Sequence, residues 1–399
     1  MKFIEGGITA PRGFLASGVR CGIKQSGLDL AIICSEAPAV CAALFTTNLF
    51  KAAPVLVSME HAASGKAIAV VANSGCANAC TGERGITDAR RMASMAANEL
   101  GTDAESVLVC STGVIGRFLP MDKVERGVVD AAKSLSSDGA LDAAKAIMTT
   151  DTCPKMAACE IDIGGVPVRI GGIAKGAGMI RPDLATMFCF LTTDAVISLD
   201  VLKRCLQDAV EVSFNSLTVD GDTSTNDTVI ALANGFAGNQ DISSDSEYVQ
   251  TFSLGLKSVC IELAKAMARD GEGATKLVEV VVRGAVSYED AKTVAMTVAN
   301  SLLVKTAVFG EDPNWGRVLA AAGRSGIEIN PSSVDLYFGD VKIVEDGEPL
   351  DVPDYTARAP MLDDELVITI DLKLGSASSR VFTCDLSYDY VKINAEYHT

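Results

Sequence analysis

The sequence predicts a mixed α/β fold, with layered sheets covered by helices and a smaller strand-rich unit at the end. Three observations predict it. Short apolar runs of strand length alternate with longer runs of helical period along most of the 399 residues. Hydrophobic residues make up 48% of the chain, enough for large buried cores. From about residue 330 the sequence turns strand-rich. Length alone suggests two or three domains.

Taken in order, IAVVAN (68–73) and VLVC (107–110) read as buried strands. TDARRMASMAANEL (87–100), DKVERGVVDAAKSL (122–135) and DGALDAAKAIM (138–148) carry helical spacing. CEIDI (159–163) and VPVRIGGIA (166–174) read as a hairpin turned by Gly164 and Gly165. MFCFLTTDA (187–195) is the next strand. A helix over 198–212 opens on Ser198 as N-cap, and a long helix over 246–273 ends in glycines. LVEVVVRG (277–284) is a strand, and 287–308 reads as one helix. VDLYFG, LVITIDLKL and VFTCDLS supply strands of a smaller terminal domain.

Composition removes several functions. No run of about 18 uncharged apolar residues occurs, so no membrane span is expected. The first residues contain Glu5 and several glycines where a secretory signal needs an unbroken apolar region, which predicts a cytoplasmic protein. A net charge of −17 would repel a phosphate backbone, so nucleic acid is not expected as a partner. The twelve cysteines include no C-x-x-C, and Cys34, Cys189 and Cys205 sit in apolar runs, as buried reduced thiols do. Only two histidines exist. His61 reads as lying at a surface helix end and His398 is penultimate, so histidine-based nucleophilic catalysis and histidine-rich zinc sites are not expected.

Four stretches invite a functional reading. GGIAKGAG (171–178) has the glycines of a phosphate loop, but Lys175 precedes the final glycines and neither nucleotide fingerprint fits. VDGDTSTND (219–227) is acidic, yet it lacks the glycine and glutamate spacing of a calcium loop and reads as a polar turn with side-chain-to-backbone bonds. STGVIG (111–116) directly follows a strand, where it is either a plain turn or a cradle of backbone N–H groups for an anion or oxyanion. In KGAGMIRPDLATMFCFLTTDA (175–195), Thr186 stands between a glycine-rich turn and an apolar strand. It reads either as an ordinary strand-entry residue or as a nucleophile. In the second case, cutting the preceding bond would free an α-amine able to act as base for its own hydroxyl.

Those stretches, with ITAPRGFLASGVRCGIK (8–24), NSGCANACTG (73–82), EDPNWGR (311–317) and YVKINAEYHT (390–399), occur in an order and pattern that resembles the glutamate N-acetyltransferase (ornithine acetyltransferase) family over essentially the whole chain. The resemblance implies a four-layer helix–sheet–sheet–helix sandwich with a smaller α/β C-terminal domain from about 285 to 399. It implies self-cleavage between Ala185 and Thr186 into chains 1–185 and 186–399, which stay together and pair as a dimer of such pairs. The implied reaction moves an acetyl group from N2-acetyl-L-ornithine to L-glutamate in cyclic arginine biosynthesis, with acetyl-CoA as an alternative donor in some members and no cofactor or metal. Carried onto this chain, Thr186 matches the nucleophile, and Thr112 with Gly113 the oxyanion hole. Thr152, Lys175, Thr186, Glu272, Asn394 and Thr399 match substrate-binding positions. An amidase or aminopeptidase with the same self-made nucleophile is the competing activity. A ligand-binding protein with an uncut chain is the non-catalytic alternative.

Overall fold

One strand, Leu30–Phe45, is 16 residues long and organises the larger part of the molecule. The computed structural model describes residues 1–181 and 187–396. In chain order the first unit holds β1 (Lys2–Phe3), β2 (Phe14–Val19), β3 (Leu30–Phe45), α1 (Ala53–Ala62), β4 (Lys66–Cys76), α2 (Gly82–Leu100), β5 (Val107–Val114), α3 (Met121–Lys133), α4 (Ala140–Ala146), β6 (Lys155–Ile163), β7 (Val166–Lys175), β8 (Phe188–Thr193), α5 (Leu199–Glu211), β9 (Thr228–Ala233) and α6 (Val249–Arg269). The second unit holds β10 (Leu277–Ala285), α7 (Tyr288–Ala299), α8 (Leu302–Phe309), α9 (Trp315–Gly323), β11 (Asp335–Phe338), β12 (Val341–Glu345), β13 (Glu348–Pro349), α10 (Asp354–Arg358), β14 (Glu365–Asp371), β15 (Ala377–Cys384) and α11 (Tyr388–Glu396).

The first half of β3 pairs with β2 and β4, and its second half, Val40–Phe45, pairs with β9. The register against β4 shifts between Cys34 and Ala39, where the strand passes from one layer to the other. The layer of β2, β3, β4 and β5 is thereby stacked on the layer of β1, β6, β7, β8 and β9. Side-chain alternation shows the stacking. Ile33, Val70 and Leu108 of one layer share a core with Ile173, Phe190 and Ile230 of the other. The alternate residues Ile32, Val71 and Val109 face outward and pack on α1, α2 and α3. Leu191, Val229 and Ala231 face the opposite way and pack against α5 and α6. The order is therefore helix, sheet, sheet, helix, as expected.

The second sheet has the order β13-β12-β11-β14-β10-β15 and a core of its own, closed by α7 and α9. It begins at Leu277, so the boundary expected near residue 285 falls at the end of its first strand. Leu277, Phe382 and Cys384 belong to the core of the first unit, which joins the two units.

Local chemistry accounts for the turns. Gly164 and Gly165 take φ of 64° and 84°, and the Gly165 N–H donates to Asp162 Oδ1 at 2.9 Å, which closes the β6–β7 hairpin. Three expectations need correction. The single helix read over 287–308 is two helices, α7 and α8. Ser301 stops the first by accepting the Val304 N–H on its hydroxyl at 3.5 Å, so it caps the second. Asn300 in the break accepts from Thr218 Oγ1 at 2.6 Å and ties the kink to the first unit. Ser198 does stand at the start of α5, but its hydroxyl donates to Ile242 O at 3.5 Å and caps nothing. His61 is not at the surface: it is buried against β5, with Nδ1 2.8 Å from Val107 O. Its turn of α1 faces the sheet because Val57 and Ser58 below it do. All twelve cysteines are free, and Cys34, Cys189 and Cys205 are buried. Among the described residues no helix is long and apolar enough to cross a membrane.

Candidate active site

The parallel pair β4–β5 sets Ser74 beside Thr112 and Gly75 beside Gly113. Gly113 has φ of +128°, and a Cβ there would lie 2.5 Å from the Gly75 carbonyl carbon and 2.7 Å from the Cys76 nitrogen. Glycine is required at 113 by conformation and by space. The two strands therefore end with their backbones in close approach, at the mouth of a cavity of about 80 Å³.

Thr112, Gly113, Thr149, Glu272 and Asn394 all line that cavity. Lys175 ends β7 directly behind it and is 1% exposed. Its Nζ donates to Thr149 Oγ1 at 2.8 Å and to Thr112 Oγ1 at 3.4 Å. Burial pushes the Lys175 pKa below the ordinary lysine range, against the pull of the Asp151 carboxylate. The site thus holds a buried amine whose direct hydrogen-bond acceptors are hydroxyls.

A buried ionic group supports this arrangement from beneath. Lys155 Nζ donates to Asp151 Oδ1 at 2.7 Å and to Asp270 Oδ2 at 2.5 Å. Asp151 Oδ1 also accepts the Gly176 N–H at 2.7 Å, which fixes the residue after Lys175. Burial alone would raise the Asp151 pKa, but the charges of Lys175 and Lys155 outweigh it and hold the carboxyl well below its usual range. Asp270 accepts the Thr152 N–H at 3.0 Å and also the Thr152 hydroxyl. Thr152 is exposed and borders a neighbouring cavity beside α11, not the one lined by Thr112.

Glu272 follows α6, and its N–H donates to Ala177 O at 2.8 Å. A Cβ on residue 178 would meet its carboxyl group at 2.4 Å, so Gly178 lets the side chain lie across the turn. Asn394 of α11 donates from Nδ2 to Glu272 Oε2 at 2.8 Å. The structure thus brings Thr112, Gly113, Lys175, Glu272 and Asn394 together and sets Thr152 to one side. Ala185, Thr186 and Thr399 lie outside the described residues.

The acidic turn 219–227 is a framework for the site. Asp220 accepts the N–H groups of Met179 at 2.6 Å and Ile180 at 2.9 Å, and so holds the glycine-rich turn. Asn226 Nδ2 donates to Ala77 O at 2.7 Å and Ser111 O at 2.6 Å, joining the turn to β5 and to the residue that follows β4. Asp227 Oδ1 accepts the Met187 N–H at 2.7 Å. Reading the stretch as a polar turn bonded to backbone described the chemistry, but not that its partners are distant in sequence. Thr149 carried no signal, being one of two adjacent threonines after a helix.

A larger cleft of about 540 Å³, bordered by Arg181, Glu211, Lys292 and Arg324, contains none of the predicted site residues.

Comparison with known proteins gives these positions a setting. The model of the ArgJ family matches residues 15–399. The arginine biosynthesis bifunctional protein ArgJ of Symbiobacterium thermophilum is 51% identical over 402 residues, covering 100% of both chains. That of Geobacter sulfurreducens is 52% identical over 391 residues, covering 97% of this chain and 99% of the relative. A crystal structure of the arginine biosynthesis bifunctional protein from Bacillus halodurans is 41% identical with a TM-score of 0.51. It covers 53% of this chain and 98% of its own.

Proposed function

The chain belongs to the ArgJ family, and from that premise we propose that it transfers an acetyl group from N2-acetyl-L-ornithine to L-glutamate, with Thr186 as the acetyl carrier. The observation that carries the reading is the meeting of Thr112, Gly113, Glu272 and Asn394 on one small polar cavity backed by Lys175. Relatives named for a bifunctional role in arginine biosynthesis support the pathway and a second activity, for which we take acetyl-CoA as the donor.

The chemistry begins with a cut between Ala185 and Thr186 that leaves chains 1–185 and 186–399. A solved relative that 53% of this chain covers almost whole has the length expected of one such piece. The freed Thr186 amine takes the proton of its own hydroxyl, and Oγ attacks the acetyl carbonyl carbon of the donor. The carbonyl oxygen becomes an oxyanion, which the Thr112–Gly113 region stabilises. Each well-placed donor there is worth about 100- to 1,000-fold in rate. The C–N bond breaks, the amine carries the proton to the leaving nitrogen, and ornithine departs. Glutamate then attacks the acetyl ester by the same route and leaves as N-acetylglutamate. Lys175 pairs with a substrate carboxylate and Glu272 with a substrate ammonium. The two chains stay associated, pair with a second copy and work in the cytoplasm.

The test is to supply N-acetylornithine with and without glutamate and to measure ornithine, N-acetylglutamate and acetate. Transfer predicts ornithine release that depends on glutamate, matched by N-acetylglutamate. Equal acetate release without glutamate identifies a hydrolase instead. Glutamate with acetyl-CoA alone decides the second activity. The intact mass of active enzyme should show two chains, and Thr186→Ala should give one chain and no transfer.

A further inference from the structure

Two hydroxyls stand between the Lys175 ammonium and the small cavity. Thr112 and Thr149 border that cavity, and Lys175 is buried behind them. Lys175 Nζ donates to Thr149 Oγ1 at 2.8 Å and to Thr112 Oγ1 at 3.4 Å. A charged lysine has donors only, so both hydroxyls accept from it. A hydroxyl that accepts still has its own hydrogen to give, and the ammonium turns that hydrogen away from itself. Neither hydroxyl donates to another group among the described residues. Thr225, on the same cavity, differs: its hydroxyl is spent on Asn226 Oδ1 at 2.5 Å. Thr149 and Thr112 therefore present donors to whatever fills the cavity, with a cation behind both.

Thr149 is also held in place from three directions. Its N–H donates to Asp151 Oδ2 at 3.0 Å, and its hydroxyl is fixed by Lys175. The carbonyl before it, Met148 O, accepts from Lys24 Nζ at 2.9 Å. The Lys24 side chain crosses Gly75, where a Cβ would lie 2.8 Å from its Cγ. Its backbone is set by Asp29, which accepts the N–H groups of Cys21, Gly22 and Lys24. Ser74 Oγ ties the same loop to β4 by donating to Ala146 O at 2.6 Å. The stretch 8–24 thus finds a use in this site: its last residue anchors the loop that carries Thr149. A donor fixed in this way is aimed before the ligand arrives, which lowers the cost of binding.

The two substrates of the proposed transfer share one anionic group, the carboxylate on the carbon that bears the reacting nitrogen. Resting on the reading that this cavity binds those substrates, we infer that Thr149 is a substrate-binding residue, whose hydroxyl donates to that carboxylate and passes on the charge of Lys175. Thr149 takes this role rather than Thr112 because it makes the shorter bond to Lys175, while Thr112 stands beside Gly113 at the end of β5. A hydroxyl polarised by an ammonium is a stronger donor than a free one. Glu272 borders the same cavity and offers the opposite charge to a substrate ammonium.

The experiment measures steady-state transfer by the wild type and by Thr149→Val, which keeps the volume and removes the hydroxyl. KM for glutamate and for N-acetylornithine should each rise at least about tenfold, the value of a hydrogen bond to a charged group. Turnover at saturation should be unchanged, as expected when binding is lost equally from ground and transition states. Thr149→Ser should restore most of the affinity. The second arm replaces glutamate with its α-carboxamide, isoglutamine. Its KM should rise much less in Thr149→Val, since a bond to a neutral acceptor is about half as strong. Thr149→Ala carries the same comparison should Thr149→Val not fold. Unchanged KM values overturn the inference, and so does an equal rise for both acceptors, which marks a structural effect. A fall in turnover at constant KM also overturns it, because Thr149 would then act on charge that develops in the reaction. A wild type that makes no N-acetylglutamate defeats the reading of the site, and this inference with it. A wild type that transfers, beside a Thr149→Val that binds glutamate equally well, defeats only the role of Thr149.

Discussion

Asn394 Nδ2 donates to Glu272 Oε2 across 2.8 Å, and this bond ties the last helix to the loop that ends α6. Gly273 packs against Tyr390 so tightly that a Cβ would lie 2.4 Å from the Tyr390 nitrogen, and Ser387 Oγ donates to Gly273 O at 2.5 Å. The end of the chain is thus fastened at three points to the segment that presents Glu272. If Glu272 holds a substrate ammonium, Asn394 orients it.

Asn394→Ala should therefore raise KM for the amino-acid substrate about tenfold, the value of one hydrogen bond to a charged group. The proposed self-cleavage should be unchanged, because the Asn394 side chain donates to Glu272 and to Tyr390 O and not to Met187. Steady-state transfer and the chain pattern on a denaturing gel check both. An unchanged KM would remove Asn394 from the substrate site.

Gly113→Ala should fail by structure and by activity together. The new Cβ would meet the Gly75 and Cys76 backbone below 3 Å at a φ of +128°. Strain and overpacking together cost at least about 2 kcal/mol. Denaturant melts should show the loss of stability, and transfer should vanish even in the fraction that folds, since the end of β5 is displaced.

Much of this was legible in the sequence, because period-two apolar runs report buried strands directly. VLVC, MFCFLTTDA and the glycine hairpin at 164–165 each became the expected element. The helix 287–308 was misread because its apolar pattern continues across Asn300 and Ser301, while the break depends on a hydroxyl cap and on a partner, Thr218, far away in sequence. The site was legible through the family motifs rather than through local chemistry. Nothing local reveals that Asp151, Lys155 and Asp270 form one buried group, since Asp270 is 115 residues beyond Lys155.

Thiol reactivity tests the packing. Cys80 and Cys153 are exposed, while Cys21 is half-buried and the other nine are buried. Burial pushes the thiols of Cys21 and Cys41 up to about 12, which leaves them protonated at neutral pH. Cys80 and Cys153 should be the thiols a reagent reaches in the native protein, with Cys153 slowed because partial burial and the Asp270 carboxylate raise its pKa, and all twelve should react after denaturation. Rapid native labelling of Cys41 or Cys189, located by peptide mass, would contradict the fold.

Transfer should show opposed pH limbs. If the cut proposed above frees the Thr186 amine, that amine acts as a base only when neutral, and such amines titrate near about 7.7 to 8.0 when unperturbed. Turnover should rise with pH as that proton is lost. In the proposed pairing Lys175 would bind a carboxylate only when charged, and burial lowers its pKa from the ordinary lysine range. KM for glutamate should therefore rise at alkaline pH, earlier than an exposed lysine would allow. Lys175→Met should abolish that rise and weaken glutamate binding at every pH.

Acid stability should report the Asp151–Lys155–Asp270 group. Asp151 is held well below its usual range, so its folded-state pKa is depressed relative to the unfolded chain. Such a carboxyl contributes stability that is fully present above the ordinary Asp value of about 3.9. That contribution is lost as pH falls through the lower folded value. Denaturant melts from neutral pH downward should show a stability loss below about pH 4 that is smaller in Asp151→Asn. Removing the cation is the harsher change. Lys155→Met leaves the buried Asp151 and Asp270 carboxylates facing each other, at a cost of about 3–5 kcal/mol near neutral pH. The Gly176 N–H then bonds to a carboxylate that has lost its nearest cation, so the turn carrying Lys175 should loosen. Lys155→Met should consequently bind glutamate more weakly, although its side chain does not border the cavity lined by Thr112. A variant with wild-type stability and wild-type glutamate KM would show that the three charges do not position Lys175.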